Sequence, residues 1–149
     1  MATSDTVEAS TARSNVVVLV ILRIVGAALL VSMGYIHIHL YQAGYYLTAV
    51  GPAFIANAVL AVLGAIALLA FPNKMLGIAS TLGALLSLGT LAALLISIYG
   101  SLFGYKETLA APLLKSTFTV ESVGIVLLAV LAVMATRRFG MWKWLPGRQ

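Results

Sequence analysis

Two histidines, His37 and His39, stand two positions apart in the stretch GYIHIHLYQAGYY, residues 34–46, at the end of a long apolar run. Imidazole can ligate a metal, carry a proton or hydrogen-bond at a membrane edge. In a continuous helix, residues two apart point to opposite sides. Both rings therefore reach one metal ion only if the helix unwinds near Gly34 or a second subunit contributes. Three other apolar runs also place polar groups toward the same end: Asn57 shortly after Pro52, Glu121 shortly after Phe118, and Ser97 near the close of its run. Glu121 is the only acidic residue within any of the four runs. A cluster of His37, His39, Asn57, Ser97 and Glu121 could relay a proton or bind a hard or borderline cation such as zinc or copper, although the residue types do not specify a metal or cofactor. The competing reading makes the histidines interfacial hydrogen-bonders and Glu121 an early helix residue favoured by the helix dipole and paired with Lys115 or Lys106. Haem b held by both histidines is disfavoured because they face apart.

The elements that must position these groups are four apolar helices. The chain has 149 residues, of which 62% are hydrophobic and only 9% charged, with a mean hydropathy of +1.07. So little charge cannot cover a soluble globule of this size, which points to the bilayer as its solvent. A span needs about 20 mostly apolar residues, and the runs Val16–Tyr41, Pro52–Phe71, Met75–Tyr99 and Phe118–Thr136 supply four. They are continuous and rich in Ala and Leu, without the alternation of a membrane barrel. Gly51-Pro52 opens the second run, Phe71-Pro72-Asn73-Lys74 separates the second from the third, and Gly100 and Gly104 follow the third. The second and third helices are thus expected to form a tight antiparallel hairpin, and the loop from Ser101 to Ser116 is expected to rest partly on the membrane surface. The predicted fold is all-α, an integral membrane four-helix bundle.

Basic residues orient the bundle. With both termini cytoplasmic, the inner side holds Arg13, Lys74, Arg137, Arg138, Lys143 and Arg148, and the outer loops hold only Lys106 and Lys115. All six tyrosines fall at the outer face, and Trp142 and Trp144 at the inner one, as interfacial belts require. Three regions follow: a disordered N-terminal extension over residues 1–14, a transmembrane domain over 15–138, and a basic aromatic cytoplasmic tail over 139–149. The first apolar run is too long for a cleaved signal and lacks a small-x-small site after it, so the first helix is expected to stay in the mature protein. The net charge of +5 is concentrated near the chain end, which suits anionic lipid headgroups and not nucleic acid.

Arg23 is the intramembrane charge. It lies about 10 Å into the first run at 1.5 Å per residue, and its side chain is long enough to snorkel to the inner interface. The alternative is that it faces the bundle and holds an anion, a quinone carbonyl or a carboxylate. Arg23, Leu30, Gly34, His37 and Tyr41 share one helical stripe, and Gly26 and Gly34 would admit a close neighbour. Ala53, Ala61 and Gly64 accompany Asn57, and Gly124, Ala132 and Ala135 accompany Glu121, in the manner of packing faces. Residues 27–32 (AALLVS) resemble residues 92–97 (AALLIS), which would relate the two hairpins by a pseudo-two-fold axis along the membrane normal.

Several activities are excluded. There is no cysteine, hence no disulfide, no thiolate site and no quinone-coupled disulfide chemistry. Walker, dinucleotide-binding, serine-elbow and His-Glu-x-x-His motifs are absent. Small multidrug exporters also have four helices but depend on a carboxylate in the first, where this chain carries Arg23. The segment Ile36-His37-Ile38-His39-Leu40-Tyr41, followed by Gly44-Tyr45 and Gly51-Pro52-Ala53-Phe54, resembles a group of uncharacterised small bacterial membrane proteins with a His-x-His-Leu segment at the end of the first helix. The resemblance spans about twenty residues and implies a four-helix membrane fold, with no activity to carry over. The expected function is that of a multi-pass structural or partner-binding subunit of the bacterial cytoplasmic membrane, as a homo-oligomer or in a larger complex. The alternative is a metal- or quinone-associated redox or proton-handling protein using the outer cluster.

Overall fold

The computed structural model describes residues 2–139, with side chains from Val16 onward. It contains four α-helices: α1 (Ala2–Gln42), α2 (Gly51–Ala70), α3 (Asn73–Tyr99) and α4 (Leu114–Phe139), with a short 3-10 turn at Tyr45–Leu47. Their apolar parts, Val16–Gln42 and the whole of α2, α3 and α4, are each long and apolar enough to cross a membrane. No more than 28% of the most apolar window in any span is buried within the chain. A soluble monomer rarely leaves such continuous apolar surface uncovered, so lipid is the environment that fits it.

Two differences from the expected boundaries matter. The backbone of α1 is helical from Ala2, so residues 2–14 continue the first helix where a disordered extension was expected; this stretch contains no glycine or proline to interrupt it. At the other end of the chain, α4 starts at Leu114 and not at Phe118. The tail with Lys143, Arg148 and the two tryptophans lies outside the described residues, apart from Phe139.

The local signals explain the helix ends. Pro52 occupies the first turn of α2, where a missing N–H is harmless. Phe71 is extended ahead of Pro72, as a residue preceding proline prefers, and this stops α2. The helices then form an up-down-up-down ring. The α3–α4 and α1–α2 contacts are most extensive, α1–α4 intermediate and α2–α3 the smallest of the four. The hairpin expected between α2 and α3 is present, but its two-residue turn joins helices that share little surface. A tight turn at one end and a small interface imply divergence toward the other end.

The core is formed by Leu30 and Met33 of α1, Leu68 of α2, Leu76 of α3, and Leu128 and Leu131 of α4, all essentially inaccessible. Small residues set the spacing. A Cβ on Gly34 would lie 3.3 Å from the Ala58 carbonyl oxygen, and one on Gly26 only 2.8 Å from Leu128 Cδ2. Along α3, Ser80, Ser87 and Thr90 each donate a hydroxyl hydrogen bond to the carbonyl four residues earlier, so a polar seam faces the core without unsatisfied hydroxyls. The AALLVS and AALLIS segments do not occupy equivalent environments: Leu30 is buried and Leu95 exposed, Ser32 exposed and Ser97 buried. The packing therefore gives the internal repeat no support.

Arg23 reaches toward the turn between α2 and α3, the direction expected of a snorkelling side chain, and most of its bonds there are exposed. Its guanidinium caps the end of α2: Nε donates to Leu68 O, and Nη2 donates to Leu69 O at 3.0 Å and to Phe71 O. Nη1 donates to Asn73 Oδ1 at 3.1 Å. The last carbonyls of a helix have no intrahelical partner and carry the negative end of its dipole. A cation with a fork of donors, delivered from α1, answers both needs.

Candidate functional site

The end of the bundle opposite the Arg23 cap contains a chamber of about 100 Å³ to which all four helices contribute. His37 comes from α1, Phe54 and Asn57 from α2, Thr90 and Ser97 from α3, and Thr117 and Glu121 from α4. Tyr45, Leu102, Tyr105 and Glu107 close over it from the connections. By the measure at which one water needs about 10–15 Å³, this volume holds several waters or one small organic molecule. Ala53 of α2 and Ala93 of α3 are both in its wall.

His37 is buried, and its Nδ1 lies 2.9 Å from the Met33 carbonyl oxygen. A carbonyl can only accept, so Nδ1 carries the proton and Nε2 is left as the ring's acceptor in the neutral form. Nε2 stands 3.9 Å from Glu121 Oε1. That is beyond hydrogen-bond reach yet close enough for each group to feel the other's charge. Phe54 packs beside the imidazole, ring centroids 5.2 Å apart.

Glu121 is 1% exposed and Asn57 5%. Neither carboxylate oxygen of Glu121 and neither amide atom of Asn57 has a hydrogen-bond partner. Most buried polar side-chain atoms in folded proteins are satisfied, so four orphaned atoms on one cavity are unusual. The dipole reading of Glu121 fails on geometry: because α4 starts at Leu114, Glu121 lies beyond its first turn, where the dipole effect has decayed. The expected lysine partners are not there either, since Lys106 and Lys115 are exposed and neither lines the chamber.

His39 is not part of this arrangement. It is exposed and stacks on Tyr35 at 6.1 Å. Ser97 does line the chamber, but its hydroxyl is occupied by Leu94 O at 2.8 Å. The structure thus brings His37, Asn57, Glu121 and Ser97 together and turns His39 outward. Among the described residues no three of His, Cys, Asp and Glu converge as metal ligands. Of the residues expected to bind a hard or borderline cation, His37, Glu121 and Asn57 stand together and His39 does not join them. No protein-family model matches the chain, and neither does any of the curated proteins or solved structures compared with it.

The roof of the chamber is built around Glu107, a residue that no sequence motif marks. Glu107 Oε2 accepts from Tyr45 OH at 2.7 Å and Tyr105 OH at 3.2 Å, while its Oε1 accepts from the Thr108 N–H at 2.9 Å. The Glu107 N–H donates in turn to Ser97 O at 2.9 Å, which ties the loop to the end of α3. Burial, together with the hydrogen bond to Glu107, raises the Tyr45 phenol far above its ordinary value. Tyr105 is raised as well, mainly by burial. The signal was present in composition: only four acidic residues occur in the chain, and Glu107 and Glu121 are the two beyond residue 8.

Proposed function

We propose that the chain is a multi-pass protein of the bacterial cytoplasmic membrane, both termini inside, that binds a small molecule in the chamber of its outer half. Glu121 and His37 serve there as the proton-exchanging pair. The observation that carries this reading is the set of four partnerless atoms, Asn57 Nδ2 and Oδ1 and Glu121 Oε1 and Oε2, buried around a cavity. A lone ionised carboxylate in such surroundings needs a compensating proton or cation. An occupant that supplies hydrogen bonds to these atoms gives them a purpose; packing does not. The structural or partner-binding role suggested by composition agrees with the lipid-facing exterior but leaves Glu121 and Asn57 unexplained. Orientation is supported by the basic residues. Lys74, Arg137 and Arg138 lie at the Arg23-cap end and Lys106 and Lys115 at the chamber end, so the rule of inner positive charge places the chamber outside.

The test is stability of the purified protein without added ligand. Groups kept for binding weaken a fold when the site is empty, so replacing a buried unsatisfied amide by an apolar side chain, or a buried carboxylate by its neutral isostere, removes that cost. Asn57→Leu and Glu121→Gln are expected to match or exceed the wild type in thermal stability. A clear loss in both variants would mean that these groups serve the fold, and would end the reading.

A further inference from the structure

We infer that the occupant of the outer chamber is a small primary ammonium ion carrying a short apolar body. The inference rests on the binding role proposed above and names its ligand class. Its basis is the balance of donors and acceptors. Glu121 offers two oxygens, Asn57 Oδ1 one and His37 Nε2 one, all without a hydrogen-bond partner. Against these four acceptor atoms the cluster has one free donor group, the Asn57 amide nitrogen; the Thr90 hydroxyl lies beside Glu121 but is held by the Leu86 and Ser87 carbonyls. An ammonium head has three N–H donors and no acceptor, which is the complement of that surplus. A carboxylate or phosphate would add acceptors where acceptors are already in excess.

Charge and shape agree. Both acidic side chains of the outer half, Glu107 and Glu121, line the chamber, and no lysine or arginine among the described residues does. Glu107 is engaged with Tyr45, Tyr105 and the Thr108 N–H, so it adds negative potential near the entrance while Glu121 remains open for contact. The rings of Phe54 and Tyr45, 4.9 Å apart, belong to the wall, and aromatic faces attract cations. Leu40, Val50 and Leu94 complete an apolar surround for the ligand's body.

The experiment is a thermal-shift series on the full chain in detergent with three probes of one size: n-butylammonium, n-butanol and butyrate. At about tenfold excess over Kd, butylammonium is expected to raise Tm by roughly 3–6 °C. The rise should disappear in Glu121→Gln and persist in His39→Gln. Glu121→Asp, which keeps the charge on a shorter arm, should retain part of it and so separates loss of charge from loss of fold. Stabilisation by butanol in preference to the ion would overturn the cation and leave a neutral-ligand chamber. Stabilisation by butyrate would overturn it in the other direction, with a protonated His37 as the recognising charge. No butylammonium shift at any concentration would overturn the inference outright, whereas the binding reading itself stands or falls on the ligand-free stability of Asn57→Leu and Glu121→Gln.

Discussion

Replacing Arg23 separates its role as a helix cap from simple reach to the interface. In the structure its guanidinium serves three carbonyls at the end of α2 and the Asn73 amide oxygen. The bond from Nε to Leu68 O is partly buried and the other three are exposed. A charge-assisted hydrogen bond contributes about 1.5–3 kcal/mol when protected from water, and exposed ones must be discounted heavily. Arg23→Leu should therefore destabilise by about 2–4 kcal/mol. Arg23→Lys keeps a positive charge near the helix end, which contributes about 0.3–1 kcal/mol, but its single ammonium cannot span Leu68, Leu69 and Phe71. It should still lose about 1–2 kcal/mol. Equilibrium unfolding in mixed micelles, followed by far-UV circular dichroism, measures both variants, with Asn73→Leu as a near-neutral control. If lysine proves as stable as arginine, the cap contributes nothing and the side chain merely needs to reach polar surroundings.

Three further outcomes are expected. Cysteines placed at Gln42 and Thr108 should react with an impermeant thiol reagent in intact cells and one at Asn73 should not; labelling of Asn73 alone would invert the proposed orientation. His39→Gln should change stability by less than about 0.5 kcal/mol, whereas His37→Gln should be coupled to Glu121→Gln by about 0.5–3 kcal/mol in a double-mutant cycle, and zero coupling would disconnect the pair. In an alkaline spectrophotometric titration two of the six tyrosines should ionise last, and Tyr45→Phe should remove one of them. Because the folded protein raises both phenols, their contribution to stability is complete below the ordinary tyrosine value of about 10 and is lost only as the pH climbs through the raised values. Six tyrosines ionising together would contradict the clasp on Glu107.

The four apolar helices were legible because each has the length and composition that crossing a bilayer requires, and Pro52 and Pro72 mark two of their ends. The split between His37 and His39 was legible for the same reason, since helical periodicity alone turns them apart. The partners that Arg23 meets at the end of α2 were not legible, because they are main-chain carbonyls. A carbonyl leaves no mark on the side-chain alphabet, and the end of α2 reads as apolar whether or not it needs a cap. Glu107 escaped notice for a related reason. Its place over the chamber depends on the path of the loop from Ser101, which includes Phe103 and Leu113 in the left-handed region, a conformation that neither residue type advertises. The start of α4, four residues early, decided how Glu121 was read, and element boundaries are set by packing as much as by local preference.

The small contact between α2 and α3 bears on how a solute arrives. Ala53, in the first turn of α2, is exposed and also forms part of the chamber wall, so a small side chain stands where a lateral entrance beside α2 would lie. If the proposed guest is amphiphilic and first dissolves among lipid headgroups, it would meet the chamber at this side by lateral diffusion, without crossing the tyrosine roof. The concentration it presents is then its membrane concentration and not its aqueous one. Apparent affinity should in that case vary with the amount of lipid or detergent in the sample, and a bulky side chain at Ala53 should slow association while leaving the equilibrium nearly unchanged.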